Sequence, residues 1–134
     1  MSQEILVTNE NGSLSFGNHL LAEKTKVEDY PYEGDLLKVK TYKTLTKLEK
    51  NGMLIYESEP GTTVKNFVET PNGVSFEVAG DEDAMLTIGL EDETEYKVLV
   101  DGVNVGKLKT NLSGKLSVSV ELSGKDSVEV KINK

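Results

Sequence analysis

One histidine, His19, and no cysteine set the first limits on the chemistry open to this 134-residue chain. A Ser-His-Asp relay would have to run through His19, and no Ser carries the G-x-S-x-G flanks that expose such a nucleophile. His19 stands beside Leu20 and Leu21 and reads as a packed or surface residue. Transition metals prefer imidazole and thiolate, so they are poorly served. Calcium needs several oxygens, and the oxygen-rich candidates are Asp81 and Asp83 in Gly80–Asp83 with Asp92 in Glu91–Glu93. The segment between them reads as one strand, which puts the two groups at opposite ends of it, and the EF-hand spacing is missing. Both therefore read as solvated turns, with no metal and no cofactor implied.

Paired carboxylates could hydrolyse a glycoside, but an acidic chain offers many pairs, and there is no Trp to serve as a sugar platform. No Gly-rich loop leads into a helix with Lys-Ser/Thr, so no phosphate cradle exists. The remaining candidates are Tyr30 and Tyr32 around Pro31, in a segment that reads as a loop or sheet edge. Two neighbouring Tyr rings combine apolar faces with polar tips and can stack on a sugar or grip a protein partner. The alternative role for them is to pin their own segment to the body of the protein.

Charge narrows the partners. There are 15 cationic and 23 acidic residues, a net charge of −8, and every cation is Lys. Such a surface repels phosphate backbones and anionic membranes, so neither nucleic acid nor a bilayer is an expected partner. Seven acids, Asp81, Glu82, Asp83, Glu91, Asp92, Glu93 and Glu95, share fifteen residues with no Lys. The start, Met-Ser-Gln-Glu and then Ile5-Leu6-Val7, resembles neither a signal peptide nor a membrane span. A cytoplasmic location is the default expectation, with signal-free export as the other route.

These residues must be positioned by strands. Apolar residues alternate at Tyr96, Val98 and Val100, at Leu116, Val118, Val120 and Leu122, and at Val128, Val130 and Ile132, between Asp101-Gly102, Ser113-Gly114 and Ser123-Gly124. A period of two puts them on one strand face, and the turns predict an antiparallel meander. Upstream, Ile5–Val7 and Leu14–Phe16 flank Asn11-Gly12 as a first hairpin. Residues 19–23 have room for a short helical turn. Asp35–Lys50 reads as one long strand with a bulge, a helix over 42–50 being the weaker alternative. Asn51-Gly52 turns it into Met53–Tyr56, with Lys50 opposite Met53, Leu48 opposite Ile55, and Lys47 opposite Tyr56 on the other face. Val64–Thr70 and Val74–Val78 make another hairpin, and Phe76 and Tyr96 belong to the core. About ten short strands and almost no helix predict an all-β fold, an antiparallel β-sandwich of Ig-like or jelly-roll-like type. It forms one domain over 1–134, with a soft subdivision near 79–84.

At TKVEDYPYEGDLLKVKTYKTLTKLEKNGMLIYESEPGTTVKNF and EYKVLVDGVNVGKLKTNLSGKLSVSVEL the chain resembles a family of small clostridial proteins that carry the label "endosialidase catalytic beta chain". The second stretch also resembles Ig-like modules of bacterial polysaccharide enzymes and surface proteins. The enzymatic label fits these residues poorly. Sialidases grip the sugar carboxylate with Arg forks, and this chain has no Arg, no Trp and no S-x-D-x-G-x-T-W box. The propeller of that class also needs a far longer chain. The expected function is a non-catalytic structural or binding module with a protein or glycan partner. Its rivals are a small carbohydrate hydrolase using paired carboxylates and a subunit of a larger, phage-tail-like assembly. Exposed edge strands leave self-association into a homo-oligomer open.

Overall fold

Period-two alternation builds thirteen strands and, among the described residues, no helix. The computed structural model describes residues 5–134; Met1–Glu4, the start of the segment read above for a signal peptide, lie outside them. The strands are β1 (Leu6–Thr8), β2 (Leu14–Phe16), β3 (Thr25–Tyr32), β4 (Asp35–Tyr42), β5 (Leu45–Lys50), β6 (Met53–Glu59) and β7 (Thr63–Thr70). They continue as β8 (Gly73–Ala79), β9 (Ala84–Gly89), β10 (Glu95–Val100), β11 (Val103–Lys109), β12 (Lys115–Val120) and β13 (Val128–Asn133). Seven form one sheet in the order β1-β2-β7-β8-β13-β10-β11, and six form the other in the order β12-β9-β6-β5-β4-β3. Every pairing is antiparallel, and the two inner faces meet in one core, which makes the chain a β-sandwich. Strands on either side of residues 79–84 pair with each other in both sheets, β8 with β13 and β6 with β9.

The first hairpin forms as its sequence suggests, with Leu6 opposite Phe16 and Thr8 opposite Leu14. Residues 19–23 make turns and bends without a helix. Asp35–Lys50 departs from the expected long bulged strand. It is a second hairpin, β4 and β5, turning at Lys43-Thr44 with Tyr42 opposite Leu45. The two strands keep Leu37, Val39, Thr41, Thr46 and Leu48 inward, so a turn resets the alternation that a bulge seemed to break.

At Asn51-Gly52 both residues have positive φ, +50° and +82°, the geometry of a two-residue hairpin turn. Lys50 opposes Met53 as expected, but the register slips between Leu48 and Glu49, so Leu48 faces Tyr56 and Lys47 faces Glu57. The extra residue is Ile55, and this bulge turns Tyr56 to the inner face.

The terminal meander is also corrected. β10 and β11 form a hairpin in the first sheet, β12 crosses over to pair with β9 in the second, and β13 returns to lie between β8 and β10. The alternation itself holds: Leu116, Val118 and Val120 are buried on one side of the core, Val128, Val130 and Ile132 on the other. Periodicity reports which face is buried, and both sheets share that core, so it cannot say which sheet a strand joins.

Tyr56 joins the sheets chemically as well as sterically. Its ring lies 5.1 Å from Phe16 and 5.6 Å from Phe76 between centroids, and Phe67 stacks on Phe76 at 5.6 Å. Edge and offset contacts of this kind add to the stabilisation from burial alone. Its hydroxyl bonds Thr62 Oγ1 at 2.7 Å, which also meets Ser58 Oγ at 2.8 Å. Thr46 Oγ1 donates to the Thr62 carbonyl at 2.8 Å, accepts the Thr62 N–H at 3.0 Å and contacts Thr41 Oγ1 at 2.8 Å. Thr41, Thr46, Tyr56, Ser58 and Thr62 are all fully buried, and no buried side-chain polar atom among the described residues lacks a partner. Gly61 lets the chain close over this network, since a Cβ there would strike the Tyr42 carbonyl.

A hub that satisfies two buried hydroxyls is expensive to remove. Thr62→Val should destabilise the fold by about 2–4 kcal/mol in urea unfolding, because Tyr56 and Ser58 lose their partner together, and Tyr56→Phe should destabilise it by about 1–2 kcal/mol.

Candidate binding site

The sandwich gathers the β1–β2, β3–β4, β5–β6 and β7–β8 turns and the β9–β10 and β11–β12 connections at one end. Two adjoining clefts open there. The larger, 690 Å³, has Met53, Leu54, Ile55 and Leu90 as its apolar surface, with Tyr96 beneath them. Lys47, Glu49, Lys50, Glu69, Glu91 and Lys115 supply its charges. That volume is in the range of small-ligand sites. Gly89 helps to create the space: a Cβ there would strike the Leu54 carbonyl, so β9 passes β6 with no side chain between them. The Ile55 bulge bends β6 at the same place. Tyr96 is buried, and its hydroxyl accepts the Glu91 N–H at 3.2 Å, so its ring offers no open face.

Lys50 and Glu69 form a 2.7 Å ion pair that lines both the larger cleft and a second one of 360 Å³. Burial alone would lower the Lys50 ammonium, but the hydrogen bond and charge of Glu69, with Asp35 and Tyr32, hold it above its ordinary value. Glu91 is taken up by Lys134 at 2.8 Å.

Tyr30 and Tyr32 stand on an edge strand, β3, rather than in an exposed loop. Pro31 is accommodated there because an edge leaves one side of the ladder without a partner. Both rings point inward, half-buried against the core. Tyr30 Oη accepts the Thr8 N–H at 3.0 Å and shares a 2.9 Å hydrogen bond with Thr8 Oγ1, while Tyr32 Oη donates to the Gly12 carbonyl at 2.5 Å. The pair thus fastens an edge of one sheet to the β1–β2 hairpin of the other. Tyr32 also lines the second cleft, beside Gly12, Lys50 and Phe67. Burial, followed by the Glu33 and Glu69 carboxylates, raises its phenol above the ordinary value.

Asp81 and Asp83 lie in the β8–β9 turn and Asp92 at the far end of β9, so the structure does not bring the three together. Asp83 Oδ1 accepts the N–H groups of Leu122 and Ser123 at 2.9 and 3.1 Å, which fixes the connection after β12. Among the described residues no three His, Cys, Asp or Glu side chains converge as a metal centre. His19 makes a contact that sequence reasoning missed. Its Nδ1 is 2.7 Å from Thr63 Oγ1 and its Nε2 is 3.6 Å from Asp81 Oδ1. The series resembles a relay, but Asp81 is 75% exposed and beyond hydrogen-bond range, and Thr63 Oγ1 already accepts the His19 N–H at 3.3 Å. The arrangement clips the β2–β3 connection to the start of β7.

The architecture defines the class as a two-sheet antiparallel β-sandwich with a cleft at one end. The chain matches no protein-family model, no curated protein and no solved structure. No helix among the described residues is long and apolar enough to cross a membrane.

The clasp and the ion pair respond to alkali in the same direction. Lys50 and Tyr32 both have pKa values raised in the fold, so their stabilisation is complete below the ordinary values of 10.5 and 10.0 and is lost as pH rises through the folded values. Burial pushes Tyr56 the same way. The urea midpoint should therefore hold up to pH ~9.5 and fall above it, and Tyr32→Phe with Lys50→Met should remove part of that fall while leaving the Tyr56 share. At neutral pH, Tyr30→Phe and Tyr32→Phe should each lower stability by about 0.5–1.5 kcal/mol.

Proposed function

We propose that this chain is a non-catalytic β-sandwich binding module whose ligand surface is the larger end cleft. The observation that carries this reading is the pairing of an apolar surface with a mixed-charge rim, placed where four connections meet. Loops on a rigid sandwich are the usual place for recognition, since they vary while the scaffold holds them. Among protein and glycan partners, the chemistry favours a short protein segment. Leu54, Ile55 and Leu90 suit an aliphatic side chain, and Lys47, Glu49 and Lys115 can meet charges of either sign. No ring in the cleft turns its face outward for a sugar, because Tyr96 is buried. Support for the non-catalytic part comes from two of the three cleft carboxylates: Glu69 and Glu91 are each engaged by a lysine, which leaves Glu49 without a second free carboxylate beside it in the cleft.

Titration of the labelled protein with short peptides carrying both charges and one or two aliphatic residues tests the proposal. Amide shifts should cluster at Leu54, Leu90 and Glu69, and Leu54→Ala with Lys115→Glu should weaken the interaction at least about fivefold. Absence of any shift with peptides or glycans at about 5 mM would remove the cleft as a binding surface.

A further inference from the structure

Five of the six charged groups around the larger cleft already face an opposite charge within the chain. Lys50 is held by Glu69 at 2.7 Å, and Glu91 by Lys134 at 2.8 Å. Glu49 stands opposite Lys38 in the β4–β5 ladder. Lys47 has Lys40 on one side and Glu57 on the other. Lys115 is the exception, and it makes no ion pair within 4.0 Å among the described residues.

The backbone enforces that isolation. β12 is an edge of its sheet, so Lys115 has a neighbouring strand on one side only, and the residue opposite it there is Gly89. No side chain at position 89 can neutralise Lys115, because a Cβ there would strike the Leu54 carbonyl. Glu91, two residues past Gly89, is committed to Lys134. The base of the Lys115 side chain is fixed as well. Its N–H donates to Asn111 Oδ1 at 3.0 Å, and its carbonyl accepts the Asn111 N–H at 3.1 Å. A cation anchored in this way loses less freedom when a ligand arrives.

Gly89 sets a spacing too. Across the sheet the order is Lys115, Gly89, then the Leu54–Ile55 stretch of β6. The empty position therefore separates the cation from the aliphatic surface by two strand spacings, about 10 Å. Same-side residues of an extended segment lie about 7 Å apart, and the length of the Lys115 side chain spans the remainder.

We propose that the larger cleft selects a segment with a carboxylate two residues from an aliphatic side chain, and that Lys115 reads the carboxylate. This rests on the reading of the cleft as a peptide site and fixes the sign of its ligand. The aliphatic group covers Leu54, Ile55 and Leu90, and the carboxylate accepts from the Lys115 ammonium. An ion pair beside an apolar surface is screened less than one in open solvent. A basic segment would bring its cation against Lys115, while Glu69 and Glu91 are already taken. An Asp or Glu side chain and a free chain end offer the same carboxylate chemistry.

Four peptides of equal length, titrated into the labelled protein, test the assignment. Three are blocked at both ends and place Glu, Gln or Lys two residues from a Leu. The fourth has a free C-terminal carboxylate at the same distance from its Leu. The wild-type chain should bind the Glu peptide or the free-end peptide at least about tenfold more tightly than the Lys peptide. The tighter of the two carboxylate peptides identifies the source. Lys115→Glu should reverse the order of the Glu and Lys peptides, and about 500 mM salt should shrink the wild-type preference at least about threefold. Shifts at Leu54 and Leu90 with equal affinity for the Glu and Lys peptides overturn the role of Lys115 and leave the cleft reading standing. A wild-type preference that Lys115→Glu leaves unchanged does the same. No shift with any of the four overturns both. Thermal unfolding of Lys115→Glu confirms that the variant keeps the fold.

Discussion

Tyr56 is the residue on which the two sheets depend for their mutual position. It belongs to the second sheet, yet its ring completes an aromatic group supplied by β2, β7 and β8 of the first. Its hydroxyl ends a buried hydrogen-bond network that reaches back through Thr62 to Thr46 and Thr41. A purely apolar interface fixes spacing but tolerates sliding, because dispersion has little directional preference. Hydroxyl bonds at fixed angles remove that freedom, provided every member is satisfied, as it is here. The Ile55 bulge is what turns Tyr56 inward, so a local irregularity in one hairpin brings this ring and its hydroxyl into the core.

The site follows from the same irregularity. Bending β6 at Ile55, next to the side-chain-free Gly89, leaves an opening where a regular sheet would have been filled. The turn-bearing end supplies charged side chains around it, and the Lys50–Glu69 pair ties the edge of that opening to the second cleft. On the flank, Tyr30 and Tyr32 hold β3 to the β1–β2 hairpin. The buried hydrogen-bond network and the opening with its charged rim thus lie at opposite ends of the sandwich.

The sequence was most legible where burial alone decides. Alternation located the inward residues of β8, β9, β10, β12 and β13, and Asn-Gly marked turns such as Asn51-Gly52. It was least legible where one extra residue matters. Nothing in Met53–Tyr56 distinguishes a regular two-residue hairpin from one with Ile55 bulged, and that single residue decides whether Tyr56 faces solvent or core. Lys43-Thr44 hides a turn because neither residue is Gly, Asn or Pro, so in sequence β4 and β5 look like one strand. The cleft was out of reach because its residues come from segments as distant as Lys47 and Lys115, which only the crossing of β12 into the second sheet brings to one surface. The place of Gly89 after Ile88 in an alternating strand was the one local hint, an outward position with no side chain.

The position of β13 has a bearing on how the protein is made. This strand, the last of the thirteen in chain order, sits inside its sheet between β8 and β10 and hydrogen-bonds both. Until residues 128–133 leave the ribosome, those neighbours present two raw edges and the apolar layer above them stays open to water. Native pairing of β8 and β10 must wait until β13 has been made, which leaves a nascent chain dependent on its charged surface, or on a chaperone, to avoid adhering to others.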